Sequence, residues 1–419
     1  MKVLLLGSGG REHALAWKLA QSPRLSRLLC GPGNPGTARW GTNVPLQADS
    51  PEAVVSLARR EGVDLVVVGP EAPLVAGVAD ALAQVDIPCF GPVAAAARIE
   101  GSKAFAKEIM AEAGVPTAAF RVFTDAAQAE AYAVQQGRIV VKADGLAAGK
   151  GVIVAPDAQA AREAVRAVAA LGQAGQRMVL EELLEGEEVS LMALCDGERY
   201  VLLPLSQDHK RVGEGDTGPN TGGMGAYCPA PFLTAEQLAQ VGEQVIAPTL
   251  AVLRKRGTPL RGVLYAGLML TASGPKVLEF NARFGDPETQ VLMMQLDEDV
   301  LPLLDACARG TLEPRTLAQN SGYSVGVVLA AEGYPETPKK GQRIEGLEAV
   351  PFNAPVFLAG VAKQDGALVT AGGRVLTVCA RGEDLAKARE RALASAEMVR
   401  FEGKHFRRDI GVRGLRTRP

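Results

Sequence analysis

Two short apolar runs constrain this chain more than any other feature. Lys2-Val3-Leu4-Leu5-Leu6-Gly7 and Asp64-Leu65-Val66-Val67-Val68-Gly69 show no apolar–polar alternation in their interiors. A strand with one wet face alternates. One that does not is buried on both faces, as in a parallel sheet covered by helices. Each run ends in glycine, and Ala-rich helical stretches separate such runs. βαβ units are expected, hence an α/β fold opening with a doubly wound parallel sheet over residues 1–100. Ligands of such a sheet gather beyond the carboxyl ends of its strands, here Gly7–Gly10, Gly31–Gly36 and Gly69–Pro73.

The opening run is too short for a secretion signal, and Arg11, Glu12 and His13 follow at once. Nothing reaches the ~18 apolar residues of a membrane span. Lys and Arg number 45 against 47 Asp and Glu, and aromatics are 5% of the chain. That balance speaks against a nucleic-acid coat or a membrane-surface protein. Six scattered cysteines without a Cys-x-x-Cys pair read as buried thiols. A cytoplasmic monomer without nucleic-acid or membrane partners is expected.

After Ile99 the pattern changes. Ser102 can cap a helix from Lys103 to Ala113 that Gly114 closes. Strands follow at Ile139–Asp144 and Gly151–Ala155, then a helix at Ala158–Ala170 and a strand at Met178–Glu182. We divide the remainder into a small αβ unit (101–188), a strand-rich unit (189–320) and a carboxy-terminal unit (321–419). The last has strands at Val325–Ala331, Val356–Gly360 and Leu368–Ala380, a helix near Asp384–Val399 and a basic ending.

Five motifs carry chemistry. Gly7-Ser8-Gly9-Gly10 can bring amides to a small phosphate at a helix N-terminus, or it is only a tight turn. It lacks the third glycine and the acidic partner of a dinucleotide fingerprint. Lys142 precedes a glycine hairpin, Gly145–Gly151, that carries Gly149 and Lys150. It is not a Walker A loop, since no hydroxyl follows the lysine. Glu181–Glu188 is acidic yet lies at the end of an apolar strand; it is either a solvated loop or a hinge that reads adenine and ribose. Ser206–Arg211 leads into Asp216–Tyr227, dense in Gly, Thr and Asn, which suits wrapping small polar substrates. In Lys276–Glu288, alternation puts Glu279, Asn281 and Arg283 on one face. Two hard oxygen ligands suit Mg²⁺ shared with phosphates, and the guanidinium suits a carboxylate or phosphoryl oxygen.

The order of strand lysine, glycine loop, acidic hinge and Glu-x-Asn strand resembles the ATP-grasp ligases. Lys142–Val152, Asp208–Arg211, Thr217–Tyr227, Glu279–Thr289 and the ending Phe401–Gly411 resemble, more narrowly, the glycinamide ribonucleotide synthetase family. The resemblance implies a two-part ATP-grasp core and a small β-rich carboxy-terminal domain. It implies ATP-dependent ligation of glycine to 5-phosphoribosylamine through glycyl phosphate, with Mg²⁺ or Mn²⁺. Lys103, Lys142, Gly145, Gly149, Lys150 and Gly151 should handle the ATP phosphates. Glu181 and the backbone of Glu182 and Leu184 should read adenine, and Glu188 the ribose. Glu279 and Asn281 should hold the metal ion, with Arg283, Lys142 and Asp208 as the catalytic residues. Gly9, Gly10, Glu71, Asn220, Thr221 and Arg283 should bind substrate. Many ATP-grasp enzymes carry a further acid on the strand before Glu-x-Asn. Gly262–Leu270 has none, so a second ion is held either elsewhere, with Asp208 and Asp286 as candidates, or mainly by phosphates and water. Another ATP-grasp carboxylate–amine ligase, a carboxylase, or a non-catalytic nucleotide sensor are the rival readings.

Overall fold

In the computed structural model, residues 1–145 and 151–416 are described. The amino-terminal sheet is parallel. Its spatial order is Thr42–Asn43, Arg27–Pro32, Lys2–Gly7, Leu65–Val68, Cys89–Phe90. The unalternating first strand is buried on both faces, as its composition requires. Val3 and Leu5 pack with Leu15 and Leu19 of the helix Gly10–Leu19 and with Val291 and Leu301 far along the chain. Leu4 and Leu6 pack on the other face with Val54 and Leu57 of the helix Pro51–Glu61. Each such side chain contributes about 2 kcal/mol before the entropy of ordering it. The strand order reverses between Lys2–Gly7 and Leu65–Val68. Their carboxyl ends, with the turns at Gly9 and Gly69, therefore form the crevice where a ligand fits.

The core that follows is a pair of antiparallel four-stranded sheets. The first runs Phe120–Phe123, Met178–Glu181, Ile139–Ala143, Val152–Ala155; the second runs Tyr200–Leu202, Glu187–Asp196, Arg261–Thr271, Gly274–Asn281. The helix Lys103–Ala113 begins and ends where its caps indicate. Ser102 Oγ accepts from the Phe105 amide at 3.1 Å, and Gly114 is left-handed at φ 66°. Asp144 adds to that cap, accepting from Ser102 Oγ at 2.9 Å and from the Ala104 amide at 2.8 Å. This fixes the strand that bears Lys142 to the helix that bears Lys103.

A third sheet crosses the expected division at 320. Tyr323–Ala330, Arg374–Gly382 and Val356–Leu358 are joined by Gly225–Cys228 and Gln207–Asp208 from the core. The expected strand Leu368–Ala380 is two strands, Ala367–Thr370 and Arg374–Gly382. Gly372 and Gly373 separate them at a crowded point: a Cβ on Gly373 would lie 2.2 Å from the Tyr334 ring. The six cysteines are free thiols, five of them buried. The basic ending packs against the core, with Arg407 only 1% exposed. Among the described residues no helix is long and apolar enough to cross a membrane.

Candidate active site

A cavity of about 780 Å³ opens between the two core sheets and reaches the crevice of the amino-terminal domain. Its upper wall is a buried charge cluster. Lys142, on the strand Ile139–Ala143, stands 3.0 Å from Glu181 at the end of Met178–Glu181, and donates to the Leu278 carbonyl at 3.0 Å. Lys107 stands 3.0 Å from the other Glu181 oxygen and donates to Thr117 Oγ1 at 2.7 Å. Burial pushes the Lys107 ammonium down to about 8, against the attraction of Glu181. Lys107 escaped the sequence reading. Its signal was the four-residue spacing from Lys103, which sets both lysines on one helix face.

The floor carries the Glu-x-Asn row. Glu279 and Asn281 lie on Gly274–Asn281; Arg283 lies two residues past its end, yet all three line the cavity. Burial pushes the Glu279 carboxyl up, but Lys210, Lys142, Lys103 and Arg283 together hold it below the usual carboxylate range. Glu188 is ion-paired with Lys210. Burial raises Asp208 to about 7, opposed by Lys210 and assisted by Glu288 and Glu188. Asn220 and Thr221 line the far side, where the Thr221 amide and hydroxyl both donate to the Lys210 carbonyl, at 2.7 and 2.8 Å.

The amino-terminal domain closes the remaining side. Glu71 starts the helix Glu71–Val75 just past Gly69-Pro70, and its carboxylate is 3.6 Å from Arg283 Nε. Arg283 Nη2 is 3.0 Å from Glu100, a second residue absent from the sequence reading. Tyr265 and Glu288, hydrogen-bonded at 2.6 Å, also line the cavity.

The structure thus brings Lys103, Lys142, Gly145, Gly151, Glu181, Glu182, Leu184, Glu188, Asp208, Asn220, Thr221, Glu279, Asn281, Arg283 and Glu71 to one cavity. Gly149 and Lys150 lie outside the described residues. Gly9 and Gly10 are not among its lining residues. The Gly9 amide donates to Glu12 Oε2 at 2.6 Å, and a Cβ on Gly7, Gly9 or Gly69 would lie within 2.7, 2.7 and 2.1 Å of Glu12. The turn expected to cradle an external phosphate instead encloses the helix's own carboxylate, which already faces the amide end of the helix. Gly9 and Gly10 border Asp286, which does line the cavity. The Glu181 carboxylate likewise differs from expectation, being engaged by two lysines.

Two sheets holding a lysine-rich upper wall over a Glu-x-Asn floor, joined to a doubly wound domain, define an ATP-grasp enzyme. Family models for phosphoribosylglycinamide synthetase match most of the chain in three parts: the N domain at residues 1–100, the ATP-grasp (A) domain at 101–289 and the C domain at 324–413. The chain belongs to the phosphoribosylglycinamide synthetase family and is a ligase.

It is 52% identical to the phosphoribosylamine–glycine ligase of Rhizobium meliloti, over 99% of each chain. It is 51% identical to that of Caulobacter vibrioides, over 100% of this chain and 99% of the relative. The crystal structure of phosphoribosylamine–glycine ligase from Thermotoga maritima superposes with a TM-score of 0.84 at 36% identity, covering 98% of this chain and 100% of that one. Biotin carboxylase from Campylobacter jejuni shares the fold alone, with a TM-score of 0.76 at 15% identity over 97% of this chain and 92% of that one.

Proposed function

We propose that this cavity ligates glycine to 5-phosphoribosylamine in purine biosynthesis, converting ATP to ADP and phosphate. One observation carries the reading. The row Lys142, Glu279, Asn281, Arg283 and the amino-terminal Glu71 face a single cavity, so a nucleotide and a second substrate can meet there.

The chemistry needs positioning and charge neutralisation more than a strong base. A glycine carboxylate oxygen attacks the γ-phosphorus, the bond to the ADP oxygen breaks, and glycyl phosphate forms. The phosphoribosylamine nitrogen then attacks the carbonyl carbon; phosphate departs and the nitrogen sheds a proton. We assign Lys103 and Lys142 to the ATP phosphates. Glu181 fixes Lys142 and Lys107 on the nucleotide side of the cavity, the backbone of Glu182 and Leu184 reads the base, and Glu188 the ribose. Gly145, Gly149, Lys150 and Gly151 belong to the same nucleotide side. Arg283 steadies the carboxyl group as it is phosphorylated. Asp208, raised to about 7 by burial, is our candidate to take the amine proton. Glu71, Asn220 and Thr221 contact phosphoribosylamine.

Glu279 and Asn281 fit Mg²⁺ or Mn²⁺: both are hard oxygen donors, and four nearby cations keep the Glu279 carboxyl ionised. Among the described residues no cluster of three or more acids, His or Cys could hold an ion by itself. Substrate phosphates would therefore complete the coordination, and the ion would neutralise charge on them. We propose that the enzyme acts as a cytoplasmic monomer.

The test is ATP consumption with glycine and phosphoribosylamine added separately and together, with the product weighed by mass spectrometry. Turnover that needs both, with a product of glycinamide ribonucleotide mass, is expected. ATP consumption driven by bicarbonate and indifferent to glycine would replace this reading with a carboxylase.

A further inference from the structure

Glu100 is the penultimate residue of the helix Ala94–Gly101, at the junction between the amino-terminal domain and the core. Its side chain is 8% exposed, and its two oxygens have separate tasks. Oε2 accepts from the Ala282 amide at 2.8 Å; Oε1 lies 3.0 Å from Arg283 Nη2. The strand Gly274–Asn281 has just ended, so Ala282 has no ladder partner and Glu100 supplies one. Arg283 Nη1 donates to the Phe284 carbonyl at 3.2 Å, which leaves Nε buried and without a hydrogen-bond partner. Glu71 approaches that Nε only to 3.6 Å. Both Nη atoms of the guanidinium are thus tied, and the buried Nε lies beside Glu71 without a hydrogen bond, while the side chain lines the cavity.

We propose that Glu100 is a positioning residue for the ligation, fixing both the backbone before Arg283 and the rotation of its fork. The fork is thereby held in the orientation in which it meets the carboxyl group being phosphorylated. This rests on the assignment of Arg283 to that carboxyl. Orientation matters because a guanidinium recognises a carboxylate through two parallel donors in one plane. Rotation of the fork loses one donor while the charge stays.

Glu100→Gln separates the two tasks. The amide oxygen can still accept from Ala282, but its NH₂ then faces the guanidinium, donor against donor. The full-length enzyme is assayed as wild type, Glu100→Gln and Arg283→Lys. Three readouts are taken: KM for glycine, KM for ATP, and glycyl phosphate trapped with hydroxylamine when phosphoribosylamine is omitted. For Glu100→Gln we expect KM for glycine to rise about tenfold or more, trapped glycyl phosphate to fall by a similar factor, and KM for ATP to change less than about twofold. Arg283→Lys should show the same pattern more severely. A wild-type glycine KM and normal trapping in Glu100→Gln, with Arg283→Lys impaired, would overturn the positioning role alone. Equal rises in both KM values for Glu100→Gln would also overturn it, by showing a general structural defect. An unimpaired Arg283→Lys would remove the assignment of Arg283 and this inference with it.

Discussion

Glu181→Gln probes the buried charge cluster over the cavity. The carboxylate is 2% exposed, with Lys107 and Lys142 each 3.0 Å away. Burial holds Lys107 near 8, well below its ordinary 10.5, and Glu181 is the strongest influence against a further fall. The amide keeps the shape and removes the charge, so Lys107 should enter the folded protein uncharged at every pH assayed. The sign follows from linkage. The unfolded lysine titrates at 10.5 in both proteins and cancels from the comparison. In the wild type, protonation of folded Lys107 contributes roughly 1.4 kcal/mol per pH unit below 8. That is about 1.4 kcal/mol at pH 7, about 2.7 at pH 6, and almost nothing at pH 9.5. Loss of the Lys142 contact adds a part that does not follow Lys107, bringing the total at pH 7 to about 3 kcal/mol. Equilibrium urea unfolding followed by circular dichroism at pH 6, 7 and 9.5 measures this. The gap between wild type and variant should narrow as pH rises through 8. A gap that stays constant or widens with pH would refute the idea that Glu181 keeps Lys107 charged.

Other consequences are as direct. Glu279→Gln should keep the fold while lowering the melting temperature, because it leaves four cations short of an anion, and should lower kcat about a hundredfold, roughly 3 kcal/mol of lost transition-state stabilisation; near-normal turnover at limiting Mg²⁺ would remove Glu279 from the metal site. Glu71→Ala should raise KM for phosphoribosylamine about tenfold and spare KM for ATP, so steady-state kinetics showing the reverse would misplace the amino-terminal domain. Arg407→Met removes a guanidinium lying 3.1 Å from Asp216 and 2.7 Å from Asp409, leaving two acids short of a partner; we expect a loss of about 3 kcal/mol in urea unfolding, and a loss under 1 kcal/mol would show that the ending does not brace the loop around Asp216.

What the sequence disclosed, and what it hid, divides along chain distance. Val3–Leu6 declares a strand buried on both faces because burial is written residue by residue. Ser102 and Gly114 declare a helix because caps are local hydrogen-bond problems. Glu279 and Asn281 stand on one strand two residues apart, so their shared direction can be read from the pleat. The Gly372-Gly373 break was visible in principle, but the apolar residues on both sides read as one strand. The longer-range arrangements had no local mark. Gly225–Cys228 joins a sheet whose next strand begins nearly a hundred residues later. Glu100 has nothing to distinguish it from any acid ending a surface helix until Ala282 and Arg283 arrive against it. Glu12 could not be seen as the occupant of its own glycine turn, because the spacing Gly9-x-x-Glu12 equally suits a helix whose N-terminus is left open. Glu71 and Arg283 were each expected at the site, for different substrates; their 3.6 Å approach joins the two side chains in one electrostatic unit. A charge change at either residue must therefore alter the field at the other. Kinetic effects of Glu71 and Arg283 substitutions should couple in a double-mutant cycle, although more than two hundred residues separate them in sequence.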